Sequence, residues 1–300
     1  MPNDKLKNQL HLHFIVFIWG FTAILAALIS IDALSLVWYR VLIAVLVIFV
    51  YFKWIKVSFR ENLSDLLKFS IGGILIAIHW STFFHAIKIS TISTTLITMS
   101  SSAFFVVLLK PFFGEKKIVF HEFILAIFTV IGFVIIFKVE NIYANGIVIA
   151  LISAFLIALF SLYNSKLVKK YDASKIAFYE LFFAFLFMTF ILFFKGAITI
   201  SFFELPKLDW LFIIILATAC TAYPFVVATN LLNKMSPFTI VLTNNLEPIY
   251  GIILAIIIFG DKEKMSWQFY LGALIIFGSV LINAFIKNRK FKRRFKSKLH

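Results

Sequence analysis

Apolar runs long enough to cross a bilayer recur along this chain, separated by short connections that carry most of its charge. About 20 residues of α-helix span a hydrocarbon core about 30 Å thick. Runs of that length fall at residues 12–30, 35–52, 67–87, 91–109, 120–138, 145–163, 174–194, 209–230, 236–259 and 267–286. They are continuous, without the period-two alternation of a β-barrel. Of the 300 residues 62% are hydrophobic and only 14% charged, against about a quarter charged in a soluble domain. An apolar excess of this size has no soluble core to fill, which excludes a soluble domain, a disordered chain and a disulfide scaffold. The expected class is an all-α polytopic membrane protein of ten transmembrane helices.

The net charge of +15 reads as topology. With the N-terminus inside, inner segments hold 22 of the Lys and Arg residues and outer loops hold 6, with Arg40 inside a span. This positive-inside split places both termini in the cytoplasm. The densest basic run, residues 287–300, is expected to be a cytoplasmic tail that touches anionic lipid; it is too short for a nucleic-acid domain. The weakly basic start, Met1 to Leu12, leads into a run with no small-residue cleavage site, so that run is expected to remain as the first span. A single cysteine, Cys220, permits no intrachain disulfide.

The chain also resembles itself. A shift of 146 residues aligns Ala86–Ile136 with Leu232–Ile282 without a gap, with twelve of 51 positions identical. The matches include Lys88/Lys234, Gly114/Gly260, Lys116/Lys262 and Gly132/Gly278, and Phe113-Gly114-Glu115-Lys116 ends a run of the same rank as Phe259-Gly260-Asp261-Lys262. A shift of 140 pairs Trp38-Tyr39-Arg40 with Phe178-Tyr179-Glu180. Each repeat holds five spans, 1–138 and 145–286. Because five is odd, the second copy is expected to be inverted in the bilayer. Inverted repeats suit a secondary transporter, in which two related bundles rock about a midplane site.

Two stretches carry a family resemblance. One is Asn245-Leu-Glu-Pro-Ile-Tyr-Gly followed by Gly260-Asp261 and Gly272 to Gly278; the other is Trp38-Tyr39-Arg40 with His79-Trp80-Ser81 and Ala86 to Ser90. They resemble the EamA-type family of the drug/metabolite transporter superfamily, whose ninth helix contains proline and whose tenth has spaced glycines. The resemblance implies ten-helix bacterial exporters of the cytoplasmic (inner) membrane that move amino acids, related metabolites or drugs. The sequence departs from symmetry at Ser101-Ser102, which align with Glu247-Pro248.

Ionisable groups inside a bilayer are expensive and so are functional candidates. Glu247 lies beside Pro248, which frees a carbonyl one turn earlier, and Thr243 and Asn244 share its helix face. Two readings stand: a site for a substrate amine or a proton, or a carboxylate that pins helices together. Arg40 and Glu180, at aligned positions, are expected near the outer and inner faces as gating or ion-pair groups, with Arg40 also able to clamp a carboxylate. His79 is a second proton candidate, and Trp80 could stack on substrate. Under the resemblance, Trp19 and Tyr223-Pro224 face the same central space. Thr98 belongs to a hydroxyl stripe with Thr94, Thr95, Ser101 and Ser102 that serves packing or substrate. Gly272 and Gly278 suit helix packing or a homodimer surface.

The scattered histidines make no metal site, and the chain lacks a phosphate loop and a Ser-His-Asp arrangement. No cofactor and no enzyme activity is expected. The expected function is export of a small metabolite, most of all an amino acid. The alternatives are a multidrug exporter of lipophilic cations and, less favoured, an integral-membrane enzyme.

Overall fold

The computed structural model describes residues 2–56, 58–114, 120–139, 141–244 and 246–296. Glu115 and Lys116 of the first repeat's turn, Asn245, and the side chains of His121 and of the basic tail from residue 287 lie outside this description. Thirteen α-helices follow one another: α1 Pro2–Leu28, α2 Ala33–Trp54, α3 Leu63–Ile89, α4 Ile92–Met99, α5 Ser102–Leu109, α6 Phe120–Val139, α7 Ala144–Leu167, α8 Ala173–Phe194, α9 Lys207–Ala217, α10 Tyr223–Leu231, α11 Pro237–Asn244, α12 Glu247–Phe259 and α13 Trp267–Lys296. No strand occurs among the described residues. Among the described residues seven helical segments are long and apolar enough to cross a membrane: Leu6–Leu28, Ala33–Trp54, Leu63–Ile89, Ile92–Phe113, Ala144–Leu167, Ala173–Phe194 and Lys207–Leu231. The remaining apolar runs fall on α6, α11 with α12, and α13.

The two halves share local chemistry. Asp32 caps α2 by accepting from the amides of Leu34 (2.9 Å) and Ser35 (3.2 Å). Asp172, 140 residues on, caps α8 through Ser174 (2.9 Å) and Lys175 (3.1 Å). Each satisfies donors that a helix start leaves without partners.

Three expected spans are broken helices. Between α4 and α5 the backbone tightens to three-residue turns, Ser100 N to Ile97 O (3.2 Å) and Ser101 N to Thr98 O (3.0 Å). There the Thr98 and Ser101 hydroxyls bond back to the carbonyls of Thr94 and Thr98, both at 2.7 Å, a competition that bends helices. Between α11 and α12 the break precedes Pro248, which sits in the first turn of α12, where a missing N–H costs least. Between α9 and α10 the chain takes a wider π turn over Thr218–Ala222, a form that recurs at functional sites.

In lipid, helices gain little by burying apolar surface against one another, so close backbone approach matters more. Helix α3 packs between α7 and α8, where a Cβ on Gly73 would lie 2.5 Å from the Glu180 carbonyl oxygen. Helices α6 and α13 cross at Gly132 and Gly272, where a Cβ on either would lie 2.7 Å from the other's carbonyl oxygen. Thr129 and Ser279 hydrogen-bond across the same crossing at 2.9 Å. Gly272, expected to serve packing or a homodimer, is therefore occupied within the chain.

One end of the bundle is tied shut by polar contacts between distant segments. The Asp209 carboxylate at the start of α9 accepts from Ser30 N (3.1 and 3.2 Å) and Ser30 Oγ (2.5 Å). The Glu263 carboxylate, between α12 and α13, accepts from Ile92 N (3.0 Å), Ser93 N (2.9 Å) and Ser93 Oγ (2.8 Å) at the start of α4. An anion there also meets the positive end of the helix dipole. Lys88 Nζ donates to the Ile29 carbonyl. Asp209 and Glu263 are both buried.

Candidate functional site

A central cavity opens within the bundle; its empty space is about 1060 Å³ when the open solvent at its mouth is included. Helices α1, α2, α3, α7 and α10 contribute to its wall, together with all three helix breaks. The lining runs from Arg40 and Leu96 to Leu232 and Ile240, near the connection between α10 and α11. Much of it is aromatic: Trp19, Trp80, Phe83, Phe160 and Phe225.

Arg40 is the cationic group of this wall and is 2% exposed. Its guanidinium lies over the Trp80 ring, 4.1 Å from the centroid, with Phe84 at 5.3 Å. Such a contact contributes about 2 kcal/mol when desolvated. Arg40 Nε donates to Thr221 Oγ1 at 2.5 Å, and Nη2 lies 3.5 Å from the Cys220 carbonyl oxygen. Both acceptors belong to the π turn, and Pro224 has no N–H to offer Cys220 one turn back. The broken helix thus presents its own oxygens to the guanidinium. Arg40 Nη1 has no hydrogen-bond partner. A guanidinium carries five donors, and leaving a charged donor unmet in a buried site costs more than the roughly 1–3 kcal/mol of a neutral one.

Glu247 lines the same cavity from the start of α12. Its carboxylate and the Arg40 guanidinium are near enough to act on each other electrostatically, without a direct ion pair among the described residues. Ser100 Oγ, at the first-half break, and Asn244 Oδ1, at the second, line the cavity and have no hydrogen-bond partners. The wall therefore offers a cation, an anion and unmet polar atoms among aromatic faces. That set can hold a small ligand bearing both charges and an apolar body.

Of the residues singled out in the sequence, Trp19, Arg40, His79, Trp80, Asn244 and Glu247 come together here. His79 is fixed through Nδ1, which lies 3.0 Å from Ser153 O and 2.8 Å from Ser153 Oγ. Arg40, expected near the outer face, stands in the cavity wall. It is not paired with Glu180, which lies outside the cavity and bonds Asn164. Thr98 is buried but spends its hydroxyl on Thr94 O, and the break turns Met99, Ser100 and Ser102 to the cavity in its place. Tyr223 faces outward, 44% exposed, with its hydroxyl 2.6 Å from His11 Nε2. A π turn inserts a residue into the α-helical register, and the residues after it rotate, so Phe225 and Thr221 take the place expected for Tyr223.

Sequence reading missed Cys220, Thr221, Ser100, Phe160 and Phe225. Pro224 was the available signal, since a proline inside a long apolar run marks carbonyls freed one turn earlier.

No curated protein matches the chain. A solved crystal structure, described only as that of a protein, aligns over 93% of this chain and 96% of its own, with a TM-score of 0.67 and 14% identity; this is a likeness of fold alone. The family model described as the EamA-like transporter family matches residues 10–138 and again 144–285. With nearly the whole length accounted for by two copies of that model, this multi-pass membrane protein belongs to the EamA-like transporter family.

Proposed function

We propose that the chain is a secondary transporter that exports a small zwitterionic metabolite, an amino acid or a close relative, across the cytoplasmic membrane of a bacterium by alternating access. The observation that carries this reading is the unpartnered Nη1 of Arg40 in a cavity that also holds Glu247. Arg40 would take the substrate carboxylate through paired, charge-assisted bonds. Glu247 would face the ammonium group, and the aromatic wall would cover the side chain.

The same guanidinium disfavours the alternative cargo, a lipophilic cation, because like charges repel in a desolvated site. Ten crossings, five per repeat with the second copy inverted, complete the proposed architecture. The charge asymmetry of 22 to 6 supports cytoplasmic termini. With that orientation the end tied by Asp209 and Glu263 is periplasmic, and the cavity extends toward the cytoplasm, as in an inward-facing state. Transport would then require the ties to break and the opposite end to close.

Counterflow into liposomes tests the reading. Purified protein should exchange labelled amino acid for trapped unlabelled amino acid, without competition from cationic dyes. Failure with every amino acid, alongside exchange of dyes, would overturn the cargo. Glu247 and His79 are the cavity's own candidates for a proton carrier. Transport by Glu247→Gln that matched the wild type at every pH would remove Glu247 from that role.

A further inference from the structure

Glu180 is a charged residue that the cavity does not use. It is 0% exposed, at the meeting of α3, α7 and α8. Gly72 makes its niche: a Cβ there would lie 1.9 Å from Glu180 Oε1 and 2.7 Å from its carboxyl carbon. Glu180 Oε2 accepts from Asn164 Nδ2 at 3.0 Å, while Glu180 Oε1 and Asn164 Oδ1 are both buried without a partner.

A carboxylate only accepts hydrogen bonds, and so does an amide oxygen. An ionised Glu180 would leave both Oε1 and Asn164 Oδ1 as buried acceptors with no donor. A proton on Glu180 Oε1 turns one of these acceptors into a donor, and a carboxylic acid and a primary amide can satisfy each other through two bonds. Turning the amide over does not remove the need, because Oδ1 would then face Oε2, which also requires a proton.

Among the described residues no cation on the helices packed around Glu180 competes for the role, and Lys88 of α3 is held by the Ile29 carbonyl. Lys68 of α3 is held by Asp65 (2.7 Å) and Tyr171 (2.9 Å). Lys175 of α8 is held by Glu61 (2.6 Å), and Lys166 of α7 lies over the Phe113 ring. On α2, Lys53 lies over Phe49 and Phe59, and Arg40 is in the cavity. Among nearby titratable groups, Tyr163 donates to Lys68 O, Tyr179 donates to Phe59 O, and His79 is bound to Ser153. Helix α10, also packed on α8, carries only Tyr223, which is turned to His11. An ionised carboxylate sealed here without a counter-charge would cost far more than one amide hydrogen bond returns.

We propose that Glu180 and Asn164 form a buried acid–amide pair that binds the proton exchanged during transport, at a site separate from the substrate cavity. Its position suits that task. Ser161, one turn before Asn164 on α7, and Ile76, one turn after Gly72 on α3, both line the cavity. A motion that reshapes the cavity through α3 and α7 therefore acts on the niche. When the helices part and water enters, the O–H bond at Glu180 breaks, the proton passes to water, and the carboxylate remains hydrated until it is protonated again. Coupling to substrate rests on the transport reading above; the protonated pair does not.

Infrared difference spectroscopy and transport test the two parts. Purified wild type at neutral pH should show the C=O stretch of a protonated carboxylic acid that is lost in Glu180→Gln, a substitution that keeps both hydrogen bonds. Asn164→Val, a second variant that retains the acid, should move the band to higher frequency. In liposomes, the ratio of uptake with and without an imposed pH gradient should fall to one in Glu180→Gln. Absence of the band from both wild type and Asn164→Val overturns the proton site. A gradient response in Glu180→Gln equal to that of the wild type overturns its part in coupling. If the wild type exchanges no amino acid, the cargo reading fails and the infrared result still decides the site.

Discussion

Arg40 and Glu180 occupy one slot in two halves of the molecule. Each is the eighth residue of a helix whose N-cap is an aspartate, Asp32 or Asp172, and each is buried. Their surroundings differ. Arg40 stands in an aromatic cavity, tied to the oxygens of a broken helix and left with an unmet donor. Glu180 is sealed against Gly72 with one amide for company. The repeat retains a place for a buried charged residue, and the helix opposite decides its use. A π turn with a following proline makes a site open to ligand; a pair of glycines makes a closed niche.

The largest expected effect comes from removing the open member of the pair. Arg40→Met should weaken amino-acid binding by roughly a hundredfold, as for truncating one partner of a desolvated charge pair. Arg40→Lys should recover part of the loss, because it restores charge without the planar fork. Titration calorimetry on purified protein measures both. Wild-type affinity in Arg40→Met would make the two slots alike, both structural.

The closed member is probed through stability. Gly72→Ala places a methyl group on the Glu180 carboxyl and should cost about 1–3 kcal/mol, the usual range for overpacking. The loss should appear as a lower Tm in detergent. Gly72→Ala combined with Glu180→Ala should lose less than the sum of the single changes, by about 1 kcal/mol, because the residues are in contact. Strict additivity would mean that the niche relaxes without Glu180.

A smaller effect is expected at the tied end. Glu263→Gln removes the charge from three hydrogen bonds to the start of α4. A loss of about 1 kcal/mol shifts a two-state equilibrium about fivefold. Cys220, the single cysteine, lines the cavity and reports the shift. A membrane-impermeant maleimide applied from the side of the tied end should label Glu263→Gln about fivefold faster than the wild type.

The apolar runs were legible because a bilayer imposes their length whatever the helices do to one another. Breaks inside the runs were less so. Pro248 and Pro224 were visible, yet neither reveals that a π turn follows Ala217 and rotates the chain beyond it. The hydroxyl stripe around Thr98 was read as one face of a straight helix; the three-residue turns at Ser100 and Ser101 divide that face. The place of Arg40 near a helix end is legible, but depth along a helix does not tell which neighbour the side chain meets. The roles of Asp209 and Glu263 were not legible, since their partners, Ser30 and Ser93, are about 170 residues or more away along the chain.

The finest test sets Tyr223 against Thr221, two residues apart on the same segment. Thr221 accepts the 2.5 Å bond from Arg40 Nε and donates its own hydroxyl to Leu216 O at 2.6 Å. Tyr223 bonds His11 on the outside. Thr221→Val leaves the guanidinium short of a second acceptor and should weaken amino-acid binding about tenfold, near the roughly 1.5 kcal/mol of a hydrogen bond to a charged group. Tyr223→Phe removes a partly exposed contact and should leave affinity within about twofold, since a bond of that kind contributes roughly 0.5–1.5 kcal/mol to folding and nothing to a cavity it does not face. Equal effects at the two positions would put the helix back in regular α register, with Tyr223 inward, and would remove the π turn as the reason Arg40 faces the cavity.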